Sequence, residues 1–141
     1  MPDHALRHVV NIKTDAARVH AALTTLEGLK GWTMADVSGG AGVGSRWTLK
    51  YADGPRFVWE VASQAADSVV WKCLEGPGDA AGTSVSFNLG NTPHGRVSLA
   101  FAHSGWPHQQ GNFEKCNALW GMMLHHLRAF AEHGKTAPAY S

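Results

Sequence analysis

Phe57-Val58-Trp59-Glu60-Val61 and Val69-Val70-Trp71-Lys72-Cys73 decide how this chain is read. In each stretch every second residue is apolar and mostly bulky: Phe57, Trp59 and Val61 in one, Val69, Trp71 and Cys73 in the other. Side chains at i and i+2 share one face of a strand, so each stretch predicts a strand with one apolar face. The alternation recurs in Trp47, Leu49 and Tyr51, in Val85, Phe87 and Leu89, and in Val97, Leu99 and Phe101, a row closed by His103. Ala52–Pro55, Ala65–Ser68 and Asn91–Gly95 read as turns, and Gly76–Gly82 as a longer loop. Links this short favour antiparallel neighbours in a meander.

Outward from these rows the period changes. His8–Lys13 predicts a first strand, with Val10 and Ile12 on one face. Thr14 or Asp15 caps a helix whose stripe is Val19, Ala22 and Leu23. Thr24 and Thr25 interrupt it, and Leu26–Gly31 predicts a second short helix before Trp32. Ser38–Gly44 is a glycine-rich loop, expected near the entrance of any interior cavity as a gate. Beyond Ser104-Gly105-Trp106-Pro107 the period becomes helical. Phe113, Cys116, Trp120, Met123, Leu124, Leu127, Phe130 and Ala131 form one stripe, which Gly134 and Pro138 terminate. A helix of about twenty residues is about 30 Å long, enough to cross a sheet. A one-faced sheet must be covered, and this helix is the element large enough to do it. The architecture is α+β, a single domain over residues 1–141 with its core at about 8–135.

Composition narrows the function. Twelve basic and eleven acidic residues leave a net charge of +1 with no basic stripe, which argues against a nucleic-acid surface. No apolar run is long enough to span a bilayer, and Met1–Ala5 does not open a signal peptide, so a cytoplasmic location is expected. Cys73 and Cys116 fall on apolar faces and read as buried free thiols of a reducing compartment. Cys-x-x-Cys and His-Glu-x-x-His spacings are lacking, and the adjacent His125 and His126 point about 100° apart on a helix. No metal or other cofactor is expected. Gly39–Gly44 lacks the dinucleotide-loop spacing and precedes a strand.

Several stretches carry a family likeness. They are Ala21–Leu29 with Gly31-Trp32; Val69–Gly76; Gly82-Thr83; and His103-Ser104-Gly105-Trp106 with Cys116-Asn117 and Trp120. In these the chain resembles the START-like (SRPBCC, Bet v 1-like) helix-grip superfamily. Within it, the chain is similar to single-domain homologues of the C-terminal domain of the activator of the 90-kilodalton heat-shock protein ATPase. The resemblance runs from about His8 to Lys135. It implies a curved antiparallel sheet wrapped around the long C-terminal helix, two short helices after the first strand, and a cavity that takes apolar molecules in relatives. It also implies a stress-response setting, with a chaperone as a further partner.

The inward rows and the helix stripe supply the candidate ligand-binding residues. From the sheet these are Trp47, Tyr51, Trp59, Trp71, Cys73, Phe87, Phe101 and His103; from the helix they are Cys116, Trp120, Met123 and Leu124. Flat apolar walls with few polar groups suit a small-molecule site, and the same residues equally suit a solid core. His103 is the polar exception in its row: either satisfied by the backbone or able to orient a ligand or move a proton. Glu75 is in inward register at a strand end but borders a loop, and Cys73 and Cys116 face each other across the interior.

Three functions fit these residues. The first is binding of a small apolar or aromatic ligand between sheet and helix. The second is a polyketide cyclase- or hydrolase-like enzyme using His103 as acid or base, helped by Tyr51 or Glu75. The third is an interaction protein with a filled core, a chaperone accessory or a homodimer joined through Val58, Val70 and Leu74 on the outer face.

Overall fold

The computed structural model describes residues 4–33, 35–40, 42–51, 56–76, 80–92, 95–106 and 111–133. The turn expected at Ala52–Pro55 and the helix stop at Gly134 lie outside them, as do parts of the Gly76–Gly82 and Asn91–Gly95 links. The chain runs β1 (His4–Ile12), α1 (Ala16–Thr24), α2 (Leu26–Trp32), β2 (Asp36–Gly39), β3 (Arg46–Lys50), β4 (Arg56–Ala65), β5 (Ser68–Glu75), β6 (Ser84–Asn91), β7 (Val97–Trp106) and α3 (Asn112–His133). All strands join one antiparallel sheet in the order β1-β7-β6-β5-β4-β3-β2. Strands β3 to β7 are the expected meander, and β2 extends it by one strand. β1 adds to the far edge beside β7, so α1 and α2 carry the chain across the sheet to start β2 at the other edge.

Local chemistry sets the short helices. Asp15 is the cap of α1, its Oδ1 accepting from Arg18 N at 2.9 Å. Thr25 ends α1 and starts α2, its Oγ1 accepting from Gly28 N at 3.0 Å. Gly28 lets the two helices touch: a Cβ there would lie 2.6 Å from Ala22 Cα and 2.7 Å from Ala21 O.

Two features of the backbone depart from the sequence reading. Asp36–Gly39 is a strand rather than the start of a loop, paired with Trp47–Lys50. The glycine run is therefore a β2–β3 turn beside Val61, at the opposite end of β3 from Tyr51, and not an entrance gate. Second, Trp106 belongs to β7 and points inward. His4 and Leu6 of β1 face Trp106 and His103, so β7 holds one extra residue there, a β-bulge. Gly105 provides it with φ +92°, a conformation that only glycine adopts freely. The bulge reverses the alternation and returns Trp106 to the face of His103.

The inner face packs against α3, α1 and α2 as one core. Trp32, expected at a loop entrance, is 1% exposed, with its indole N–H on Ala22 O at 2.7 Å. β1 is tied to α3 by His8 Nε2 and Asn117 Oδ1 at 3.0 Å, and by Lys13 N donating to Glu132 Oε2 at 2.8 Å. The outer apolar patch is not as expected: Val58 is buried, at 5% exposure, beside a register shift in the β4–β5 pair, and Val70 and Leu74 are half-buried.

The close contact at Gly28 yields a prediction. Gly28→Ala gains helix propensity of up to about 1 kcal/mol. It also drives a methyl into the α1 backbone, at a cost of typically about 1–3 kcal/mol. We expect net destabilisation, read as a lower urea midpoint with unchanged slope; an unchanged or raised midpoint would show that α1 and α2 can separate freely.

Candidate functional site

The interior is built of rings. Phe101 and Trp120 lie 4.4 Å apart between centroids, Trp71 and Phe87 4.9 Å, and Phe87 and Phe101 5.2 Å. Phe57 stacks on Trp59 at 5.8 Å. Tilted and edge-on pairs at such distances contribute about 0.5–1.5 kcal/mol each beyond their burial. Trp32 reaches the same cluster from α2, 6.3 Å from both Phe87 and Trp120.

His103 sits in this apolar mass at 0% exposure. Trp120 donates its Nε1–H to His103 Nδ1 at 3.0 Å. That nitrogen is therefore bare, and in a neutral ring the proton is on Nε2. Nε2 lies 2.7 Å from Thr83 Oγ1, whose own hydroxyl donates to Ala80 O at 2.5 Å. One directed chain thus runs from helix α3 through β7 to the β5–β6 link. Burial holds the imidazole pKa down to about 3. With both nitrogens engaged and no charge acceptable, His103 is arranged as a structural node, neutral near pH 7.

The thiols are similarly quiet. Cys73 and Cys116 are both free and buried. Burial, and then the neighbouring Cys116, push the Cys73 thiol up to about 12; burial alone takes Cys116 to about 11. Both stay protonated at neutral pH and are poor nucleophiles. Cys73 Sγ donates to Glu75 O at 3.2 Å, while the Glu75 side chain is exposed, out of the interior. Of the adjacent histidines, His125 is exposed and His126 is buried with Nε2 unpartnered. Trp71 Nε1 and Trp106 Nε1 are also buried without partners, each at a cost of roughly 1–3 kcal/mol.

A small pocket lies between sheet and helix. A pocket of about 10 Å³ is lined by Leu49, Tyr51, Phe57, Trp59, Cys116, Leu119, Trp120 and Met123. That is room for at most about one water molecule. Five of the expected ligand residues meet here: Tyr51, Trp59, Cys116, Trp120 and Met123. Trp47, Trp71, Cys73, Phe87, Phe101, His103 and Leu124 are buried in the surrounding core and do not line it. Leu119 joins the lining although it lies beside the main helical stripe, so only the packing reveals it. Tyr51 and Leu119 are half-buried and form the margin. Tyr51 Oη donates to Met123 Sδ at 3.2 Å, closing the seam from sheet to helix. Burial, and then Cys116, raise the phenol's pKa, so it remains a donor. A second recess of about 240 Å³ lies between α1, α2 and the end of α3, open to solvent and rimmed by Arg18 and Glu27.

The state of His103 has a consequence for acid stability. Its pKa is about 3 folded against an ordinary 6.5. Between those values the unfolded chain holds a proton that the folded chain does not, so stability rises with pH across this window. Falling pH below 6.5 should cost up to about 1.4 kcal/mol per pH unit from this group, with nothing lost above that range. Urea unfolding of wild type and His103→Gln at pH 7 and pH 5 measures it. Wild type should lose about 2 kcal/mol more than the variant over this interval; parallel losses would contradict a neutral buried ring.

Comparison with known proteins agrees with this geometry. A search of the curated proteins finds no match to the chain. The solution structure of the Aha1 dimer from Colwellia psychrerythraea is similar, with 28% identity and a TM-score of 0.84 over 94% of this chain and 98% of that one. Protein MLL2253 from Mesorhizobium loti shares the fold at 21% identity, TM-score 0.77, covering 89% of this chain and 95% of its own. CalU16 from Micromonospora echinospora does so at 15% identity and TM-score 0.72, over 96% of this chain and 77% of its own. The family model for activator of Hsp90 ATPase homolog 1-like protein matches residues 13–132, and the chain belongs to that family.

Proposed function

We propose that this protein binds a small apolar molecule at the seam between β3, β4 and α3, in a pocket that is closed when empty. The carrying observation is the pocket's construction. Its lining is apolar or aromatic, and the side chains that shut it are movable. Met123 is unbranched with three rotatable side-chain bonds, and such residues repack around ligands at low cost. Leu119 stands at the margin, where it has solvent to move into, beside a Tyr51 ring held edge-on by Phe57. The rest of the interior is held by interlocked rings and by the His103 chain, so opening is confined to the seam. The larger recess at α1 and α2 is a poorer candidate, because Arg18 and Glu27 give it a charged rim and it encloses little.

The enzyme reading finds less support. It needs His103 to exchange a proton with a substrate, whereas both ring nitrogens are committed inside the core. Two buried free thiols suit a reducing, cytoplasmic setting. Binding at the seam predicts a thermal-shift response to compact aromatic hydrocarbons. At a hundred times Kd the stabilisation is about 2.7 kcal/mol, or roughly 5–10 °C for a chain of this size. Leu119→Trp fills the margin and should abolish the shift. An unmoved melting temperature across such compounds, or a shift that survives Leu119→Trp, would remove the seam as the site.

A second reading, a homodimer, rests on the Colwellia psychrerythraea relative, which is described as a dimer. β1 is an edge strand of the sheet, and Val9 on its outer face is 70% exposed. Light scattering should give twice the monomer mass and revert to the monomer mass in Val9→Lys. A monomer at all concentrations would refute it.

A further inference from the structure

The pocket's closing contact also indicates what it prefers to hold. Tyr51 Oη–H is spent on Met123 Sδ, and a thioether is a weak acceptor. Phe57 packs edge-on against the phenol ring, 6.1 Å between centroids, and so fixes its direction. When a ligand displaces Met123, the phenol loses its partner inside an apolar site. A buried donor left unpaired is costly, so a ligand that brings a better acceptor gains over one that does not. The other strong donor close by, Trp120 Nε1–H, is already committed to His103. Among the described residues no lysine, arginine, histidine, aspartate or glutamate lines the pocket, so neither an anion nor a cation finds a counter-charge from them there.

On the reading that the seam is a ligand site, we propose that Tyr51 is its polar anchor and that it takes a neutral, compact apolar molecule bearing one hydrogen-bond acceptor, such as an aromatic ketone, and rejects the corresponding acid. A phenol keeps its proton at neutral pH, and burial raises this one's pKa further. A carboxylate would surrender its hydration and receive a single hydrogen bond in return.

Three probes equal in non-hydrogen atoms separate the terms: isopropylbenzene, acetophenone and benzoate. Calorimetry on the wild-type protein should show acetophenone binding about five- to tenfold tighter than isopropylbenzene. Benzoate should bind more than about a hundredfold weaker than acetophenone. In Tyr51→Phe the ketone's advantage should vanish while isopropylbenzene keeps its affinity. In Met123→Leu, which removes the thioether and leaves the phenol, the advantage should widen; this second variant keeps the test sound if Tyr51→Phe folds poorly. Equal binding of ketone and hydrocarbon, a preference that survives Tyr51→Phe, or benzoate matching acetophenone would overturn the anchor while leaving the site. Failure of all three probes to bind would overturn the site and the anchor together.

Discussion

Trp120 gives its indole N–H to His103, and His103 passes its own to Thr83 and onward to Ala80. This chain is a polar route through a largely aromatic centre, and it fixes three elements at once. α3 supplies the first donor, β7 the ring, and the β5–β6 link the last acceptor. Each group is buried, so breaking any step leaves an unpaired polar atom in a medium that cannot hydrate it. Its direction follows from one fact: an indole can only donate, which makes Nδ1 the acceptor and Nε2 the donor.

The ring packing depends on that node. His103 lies 5.6 Å from Trp59 and 4.7 Å from Trp106, between centroids, so the rings are arranged around a neutral imidazole. Trp106 is there only because Gly105 inserts an extra residue into β7. The described residues at the centre of the chamber are packed rings, and Tyr51, Leu119 and Met123 meet at its edge, between sheet and helix. Belonging to the activator of Hsp90 ATPase homolog 1-like family fixes the architecture.

The alternating rows made most of the fold legible, because burial on one face of a strand leaves a period of two in the sequence. β2 escaped because Asp36-Val37-Ser38-Gly39 presents a single buried residue, too few to show a period. Trp106 escaped because a bulge reverses the alternation, and the only signal was the glycine before it. Val58 was read as exposed on the outer face but is buried, and spacing tells which face a residue takes, not whether that face is covered. The inward position of His103 was legible; its partner Thr83 was not, since it precedes its strand and belongs to no row. Whether the rows enclosed a cavity or a core could not be read at all. That depends on how ring planes interlock, and periodicity carries no information about side-chain rotamers.

The account stands on the protonation state of one ring. Nitrogen-15 NMR of histidine-labelled protein at pH 5 reads it directly. His103 should show a protonated Nε2 and a bare Nδ1, unchanged from its neutral-pH spectrum. A doubly protonated ring at pH 5, or a proton on Nδ1, would contradict it.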